Sequence, residues 1–193
     1  LETAAMRWGG AACGEVLLLG NEGSGKTLLC RQLELFCRPL PKGAPPPRVD
    51  AATQPSIGVE LLSLSHRRKG FSVREVGGVM QPVWPRYFEA CHAVIFVADT
   101  SSAASAAAAA IEWYNLLAAP ALQKKPLMLV FNQRDRAEAI EPSELELLFR
   151  VPECEALYGG EGHLSHLYVS ALTGEGVSAL LDWMTLMGVA SNG

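Results

Sequence analysis

The chain has 193 residues, about half of them apolar (49%), with a formal charge of −4 and a pI near 5.6. That length suits one compact domain with a good core, and the acidic balance argues against a general nucleic-acid binder. Cys13, Cys30, Cys37, Cys91 and Cys154 contain no C-x-x-C pair, which favours unpaired thiols in a reducing compartment over a disulfide framework or a zinc site.

Residues 1–14 read as an N-terminal extension, in part disordered or, if Met6 is the native start, a cloning remnant at 1–5. Arg7 follows Met6, so the glycine that N-myristoylation needs is missing; palmitoylation of Cys13 stays open. Residues 16–19 form an apolar run that predicts a buried strand. It enters Gly20-Asn21-Glu22-Gly23-Ser24-Gly25-Lys26-Thr27, a G-x-x-x-x-G-K-[ST] pattern. A helix over 27–36 follows, with Leu29, Leu33 and Phe36 at helical spacing. Strand, glycine loop and helix together make the pattern specific for a phosphate loop.

Residues 39–55 are rich in proline and predict a mobile loop. Strands over 58–65 and 71–76 are joined by the basic turn Arg67-Arg68-Lys69, read as a solvated hairpin turn. Gly77-Gly78 breaks the second strand, and a short helix is predicted near 84–90. An apolar strand over 93–98 ends at Asp99. A helix over 103–118 stops before Pro120, and a buried strand over 127–131 ends at Asn132. Ser143 with Glu146 reads as a capping box for a helix over 143–149. His163 and His166 fall in a Gly-rich connection and read as solvated rather than metal-binding. A short last strand is predicted over 167–169, then a helix with Val177, Leu180, Leu181, Met184 and Met187 on one side. The alternation predicts an α/β domain over 15–188, a six-stranded, mostly parallel sheet with helices on both faces, and a tail at 189–193. No apolar stretch is long enough to span a bilayer.

The glycines let backbone N–H groups close on a polyphosphate. Asn21, Glu22, Gly23, Ser24, Gly25, Lys26 and Thr27 are the phosphate-binding candidates, with Lys26 reaching the terminal phosphates and the Thr27 hydroxyl a ligand for Mg²⁺. Asn132-Gln133-Arg134-Asp135 follows a buried strand, where a parallel sheet binds ligands. A carboxylate at Asp135 would accept from guanine N1–H and its 2-amino group together. Adenine lacks the 2-amino group and would leave that carboxylate unpaired. Ser170-Ala171-Leu172 follows the last strand, and the Ala171 N–H is placed to donate to guanine O6. Asn132, Gln133, Asp135, Ser170, Ala171 and Leu172 are therefore the guanine candidates.

In this order the motifs resemble small GTPases, specifically the ADP-ribosylation-factor-like (Arf/Arl) branch, over about residues 16–187. Gln54-Pro55-Ser56-Ile57-Gly58 is similar to that branch's first switch, and Glu75-Val76-Gly77-Gly78 to its second. The stretch Pro82-Val83-Trp84-Pro85-Arg86-Tyr87-Phe88 is similar to the segment that follows. A Glu-x-Gly-Gly switch without glutamine and a short run before Trp84 single out one subgroup. The resemblance implies a P-loop NTPase domain that binds GTP or GDP with Mg²⁺. It places Gly78 at the phosphates, Ser56 with Thr27 on the metal, and Glu75 in the metal's outer shell. It also implies an effector protein bound in the GTP state, an exchange factor and an activating protein. A cytoplasmic location with a Golgi or ciliary pool, and a role in membrane or ciliary protein traffic, follow from it too. Peripheral membrane contact is left open.

Val79 stands where the branch has the glutamine that positions water, so no catalytic residue is assigned and hydrolysis is expected to be very slow. Gln133 replaces a lysine, and weaker binding with faster exchange is expected. Val59, Arg74 and Tyr87 match an effector surface that is usually three aromatics. Two alternatives stand beside the switch: an interaction module that no longer depends on nucleotide, and an ATP-using P-loop enzyme.

Overall fold

The computed structural model describes residues 7–8, 11–12, 14–38, 49–54, 56, 58–158 and 163–187. Most of the proline-rich stretch 39–55, together with Pro55 and Ile57, lies outside the described residues, as does the tail at 189–193.

The chain order is β1 (Arg7–Trp8), β2 (Ala11–Ala12), β3 (Glu15–Leu19), α1 (Lys26–Cys37), β4 (Val59–His66) and β5 (Lys69–Val76). A 3₁₀ segment (Gly78–Val83), α2 (Pro85–Phe88), β6 (Ala93–Asp99) and α3 (Ala103–Leu117) come next. A 3₁₀ turn (Pro120–Leu122), β7 (Leu127–Asn132), α4 (Pro142–Leu148), α5 (Val151–Tyr158), β8 (Leu164–Tyr168) and α6 (Val177–Met187) complete it. The main sheet runs β4-β5-β3-β6-β7-β8, and β1 pairs with β2 apart from it. Only β4 with β5 is antiparallel in the main sheet; the other four pairings are parallel.

Period-two alternation feeds two cores. Leu17, Leu19, Phe96, Leu129 and Phe131 point to the face covered by α2 to α5, with Trp84, Trp113 and Phe149. Val16, Leu18, Ile95, Val97 and Val130 point to the face covered by α1 and α6, with Leu29, Leu33, Leu180 and Met184. A sheet buried on both faces needs the near-continuous apolar strands that this sequence supplies. Because β3, β6, β7 and β8 are parallel, the loops after Leu19, Asp99, Asn132 and Tyr168 leave from one edge. That edge carries the site.

Four local expectations differ. The helix near 143 starts on Pro142, with Glu141 before it and no side-chain cap; proline presets the first turn, and Glu146 accepts instead from the Tyr168 hydroxyl at 3.0 Å. A separate helix, α5, follows α4, broken from it at Arg150, whose φ is 47°. The last strand is longer than expected and takes in His166, whose Nδ1 lies 2.9 Å from Glu155. The helix near 84–90 is shorter, with a 3₁₀ segment containing Pro82 ahead of it.

Candidate functional site

The loop between β3 and α1 is shaped by close approach. Gly25 has φ 87°, and a methyl group there would collide with the Asn132 amide. Lys26 opens α1 and is 5% exposed. Its Nζ donates to the carbonyls of Gly20 and Asn21 at 2.8 Å each and to Ser24 Oγ at 3.3 Å. Burial lowers its pKa to about 8, against the upward pull of Glu75, Cys30 and Glu22. An ammonium this buried gains from any anion that enters the loop.

Beside it, Thr27 Oγ1 donates to Glu75 Oε1 at 2.6 Å and lies 2.8 Å from Ser56 Oγ. Ser56 Oγ also reaches Glu75 Oε1 at 3.4 Å. The other Glu75 oxygen, Oε2, is buried without a hydrogen-bond partner. Two hydroxyls and a carboxylate with a spare oxygen are the hard donor set that Mg²⁺ takes. The long glutamate arm thus brings its carboxylate into direct contact with both hydroxyls. Glu22, Lys26, Thr27, Ser56, Glu75 and Gly78 help line a cavity of about 210 Å³. Gly78 packs so closely on the backbone of Asn21 and Glu22 that a side chain there would clash.

A second cavity of about 220 Å³ is lined by Asn132, Gln133, Asp135, Ala171 and Leu172, among others. It shares Gly23, Gly25 and Thr53 with the first, so Lys26 and Asp135 lie along one continuous cleft. Asn132 is 1% exposed and ties the two halves together. Its Nδ2 donates to Ser24 O at 2.8 Å, and its Oδ1 accepts from the Ala171 N–H at 3.0 Å. The Ala171 donor is thus engaged with Asn132, and a base oxygen would have to share it. Asp135 is oriented by Ser170, whose Oγ donates to Oδ1 at 2.6 Å. Gln133, with φ 69°, donates from Nε2 to Gly23 O at 2.9 Å. Its amide braces the phosphate loop by a hydrogen bond in place of a charge.

Val79 is 49% exposed on the 3₁₀ segment and lines neither of these cavities. Arg74 and Tyr87 meet, with the guanidinium 5.6 Å from the ring centre, while Glu15 holds Arg74 at 2.7 Å. Val59, half-buried, pairs with Val76 at the start of β4. Sequence reasoning missed Leu28, Ala51, Thr53 and Arg136, which also line the cleft. Arg31 holds the 50–52 stretch there by donating to the Asp50 and Ala52 carbonyls. No motif marks those residues; only their closeness in sequence to Thr27, Ser56 and Asp135 could have raised them.

The family model for the ADP-ribosylation factor (Arf) family matches residues 6–187. The chain belongs to that family. Human ADP-ribosylation factor-like protein 16 is 32% identical over 179 residues, covering 91% of this chain and 87% of that protein. ADP-ribosylation factor-like protein 1 of Saccharomyces cerevisiae is 27% identical, covering 92% and 88%. Among solved structures, the Arl6 BBS3 small GTPase of Trypanosoma brucei, with bound nucleotide analogue GppNp, superposes with a TM-score of 0.72 at 20% identity, covering 91% of this chain and 96% of that one. The resemblance that the second switch carries in the sequence is to protein 16, which is among the relatives found. As an Arf-family member the chain is a small GTPase with a single P-loop NTPase domain, of a family that binds GTP and GDP. Among the described residues no helix is long and apolar enough to cross a membrane.

Proposed function

We propose that the chain is a GTP-operated switch that turns over GTP very slowly, its output a binding surface rather than a product. The observation that carries this is the continuous cleft with Lys26 in one half and Asp135 in the other. Backbone N–H groups from Asn21 to Thr27, with the Lys26 ammonium, would wrap the phosphates. Gly78 would close on the last phosphate. Asp135, fixed by Ser170, would read guanine N1–H and the 2-amino group, while Asn132 holds its loop. The Thr27 and Ser56 hydroxyls, backed by Glu75, would hold Mg²⁺, which neutralises phosphate charge when bound.

The residues around Ser56 and Gly77-Gly78 are joined by the Gly77 N–H, which donates to Gly58 O at 3.0 Å. Bound triphosphate would favour this joined arrangement, and its loss would release it. Effectors and regulators would read that difference at the surface around Arg74 and Tyr87. Val79 has no group to hold a water, so a partner must supply one for fast turnover. A cytoplasmic pool working in membrane or ciliary protein traffic rests on the resemblance to Arf-like relatives.

Hydrogen exchange compares the GDP form with a form loaded with a non-hydrolysable GTP analogue. Residues 51–56 and 77–83 should be protected only with the analogue. Equal protection in both forms would favour a nucleotide-independent interaction module. In single-turnover hydrolysis, Val79→Gln should exceed the parent rate by about tenfold or more; equal rates would refute the reading of Val79.

A further inference from the structure

A third cavity lies outside the nucleotide cleft. Its volume is about 330 Å³, larger than either half of the cleft, and none of its lining residues lines that cleft. One wall is the stretch after Gly77-Gly78, through Gln81, Trp84, Phe88 and Glu89. The other is α3, through Glu112 and Leu116. Trp84, Phe88 and Leu116 are buried and make the floor apolar. The first wall is pinned at both ends. Gly78 packs on the backbone of Asn21 and Glu22 in the phosphate loop. At the other end Lys125 Nζ donates to the carbonyls of Phe88, Glu89 and Cys91 at 2.6, 2.8 and 2.6 Å. The shape of this cavity therefore depends on where the phosphate loop holds Gly78.

Charge decides what fits it. Glu89 and Glu112 are the charged residues of the lining, one from each wall, and no lysine or arginine lines it. Glu112 accepts from the Asn115 amide at 3.2 Å. Among the described residues neither carboxylate has an ion-pair partner. Lys125 is engaged with the carbonyls that end α2, and Arg86, exposed on α2, does not line the cavity. Two unpaired carboxylates over an apolar floor fit a cation carried on an apolar stem. A metal ion would leave the floor uncovered, and an anionic bilayer would meet like charge. Arginine has both parts: its stem lies on apolar surface, and its planar guanidinium stacks on rings and pairs with carboxylates. We propose that this cavity takes an arginine side chain of a partner protein, and takes it best in the GTP form. The preference for the GTP form rests on the switch reading, because bound triphosphate would hold Gly78 against the phosphate loop and so fix the first wall.

The test is an NMR titration of the full chain, loaded with GDP or with a non-hydrolysable GTP analogue. The probe is a capped tripeptide of leucine, arginine and leucine. The control carries citrulline, which keeps the shape of arginine without its charge. The Trp84 indole N–H, buried without a hydrogen-bond partner, reports from the floor, and Trp84→Phe identifies its signal among those of the four tryptophans. In the analogue form the arginine peptide should move that signal saturably and bind at least about fivefold more tightly than the citrulline peptide. The GDP form should bind it at least about threefold more weakly. Glu89→Gln/Glu112→Gln should erase the preference for arginine while nucleotide retention stays that of the parent. An unmoved Trp84 signal, equal binding of the two peptides, or a preference that survives the glutamine variant would overturn the site. Equal binding in the two nucleotide forms would overturn its preference for GTP. The hydrogen-exchange comparison then separates the causes: unequal protection leaves the switch standing, and equal protection sinks it too. Spermidine binding at Trp84 as tightly as the arginine peptide would put a free polyamine in the cavity and refute the partner. A dimer in sedimentation equilibrium that the glutamine variant abolishes would put a second copy there and refute it as well.

Discussion

Asn132 offers the sharpest test of how the cleft is held. Its amide joins the phosphate loop to the β8–α6 loop through Ser24 O and the Ala171 N–H, and both of those residues are buried. Asn132→Ala would leave one acceptor and one donor without partners. Each stranded group costs about 1–3 kcal/mol, so the loss should be about 3 kcal/mol, or roughly 150-fold in the folding constant. Asn132→Asp is the informative companion. It keeps the shape and an acceptor for Ala171, but it sets a carboxylate oxygen against the Ser24 carbonyl with no donor between them. If hydrogen bonding matters and shape does not, the isosteric change should cost at least as much as alanine. Urea unfolding of nucleotide-free protein measures this, because bound ligand would add its own stabilisation. The slope against denaturant should be unchanged, with only the midpoint moving. An aspartate variant within about 0.5 kcal/mol of the parent would show that the amide fills space and clasps nothing.

Lys26 makes nucleotide affinity depend on pH. Its pKa is lowered to about 8, and bound phosphates would raise it, because they favour the charged form. Below pH 8 the ammonium is already protonated, so affinity should be flat. Above it, binding must take up a proton, and GDP affinity should fall about tenfold between about pH 7 and about pH 9. Titration with fluorescent GDP should show that slope in the parent, and Lys26→Ala should lose it. A slope unchanged by that substitution would exclude Lys26 as its source. Gln133→Ala removes the bond to Gly23 O and should speed GDP release by about two- to tenfold, read by stopped-flow. An unchanged release rate would mean that this bond does not brace the loop when nucleotide is bound.

The sheet was legible because its strands are short apolar runs closed by polar or glycine residues, as at Leu19, Asp99 and Asn132. The phosphate loop was legible because close backbone approach leaves few alternatives to glycine at Gly25. Elements near the β8 edge were harder. In β8, Leu164 shares its face with half-buried His166 and Tyr168. A strand paired on one side only shows no clean apolar period. The helix α5 follows α4 after only Phe149 and Arg150, and the break is a left-handed arginine, which no residue preference announces. The capping box failed because Pro142 fixes the first turn one residue earlier and frees Glu146 for Tyr168. The resemblance places Glu75 in the metal's outer shell. Its direct contact with Thr27 and Ser56 depends on where β5 sets its backbone, which the sequence alone does not show.

Affinity for GTP and for ATP, measured by calorimetry in the parent and in Asp135→Ala, tests whether one cleft grips phosphates at Lys26 and reads guanine at Asp135. The parent should prefer GTP by at least about a thousandfold, and the alanine variant should lose most of that preference. Equal affinity for the two nucleotides in the parent, or a GTP preference that survives the substitution intact, would contradict it.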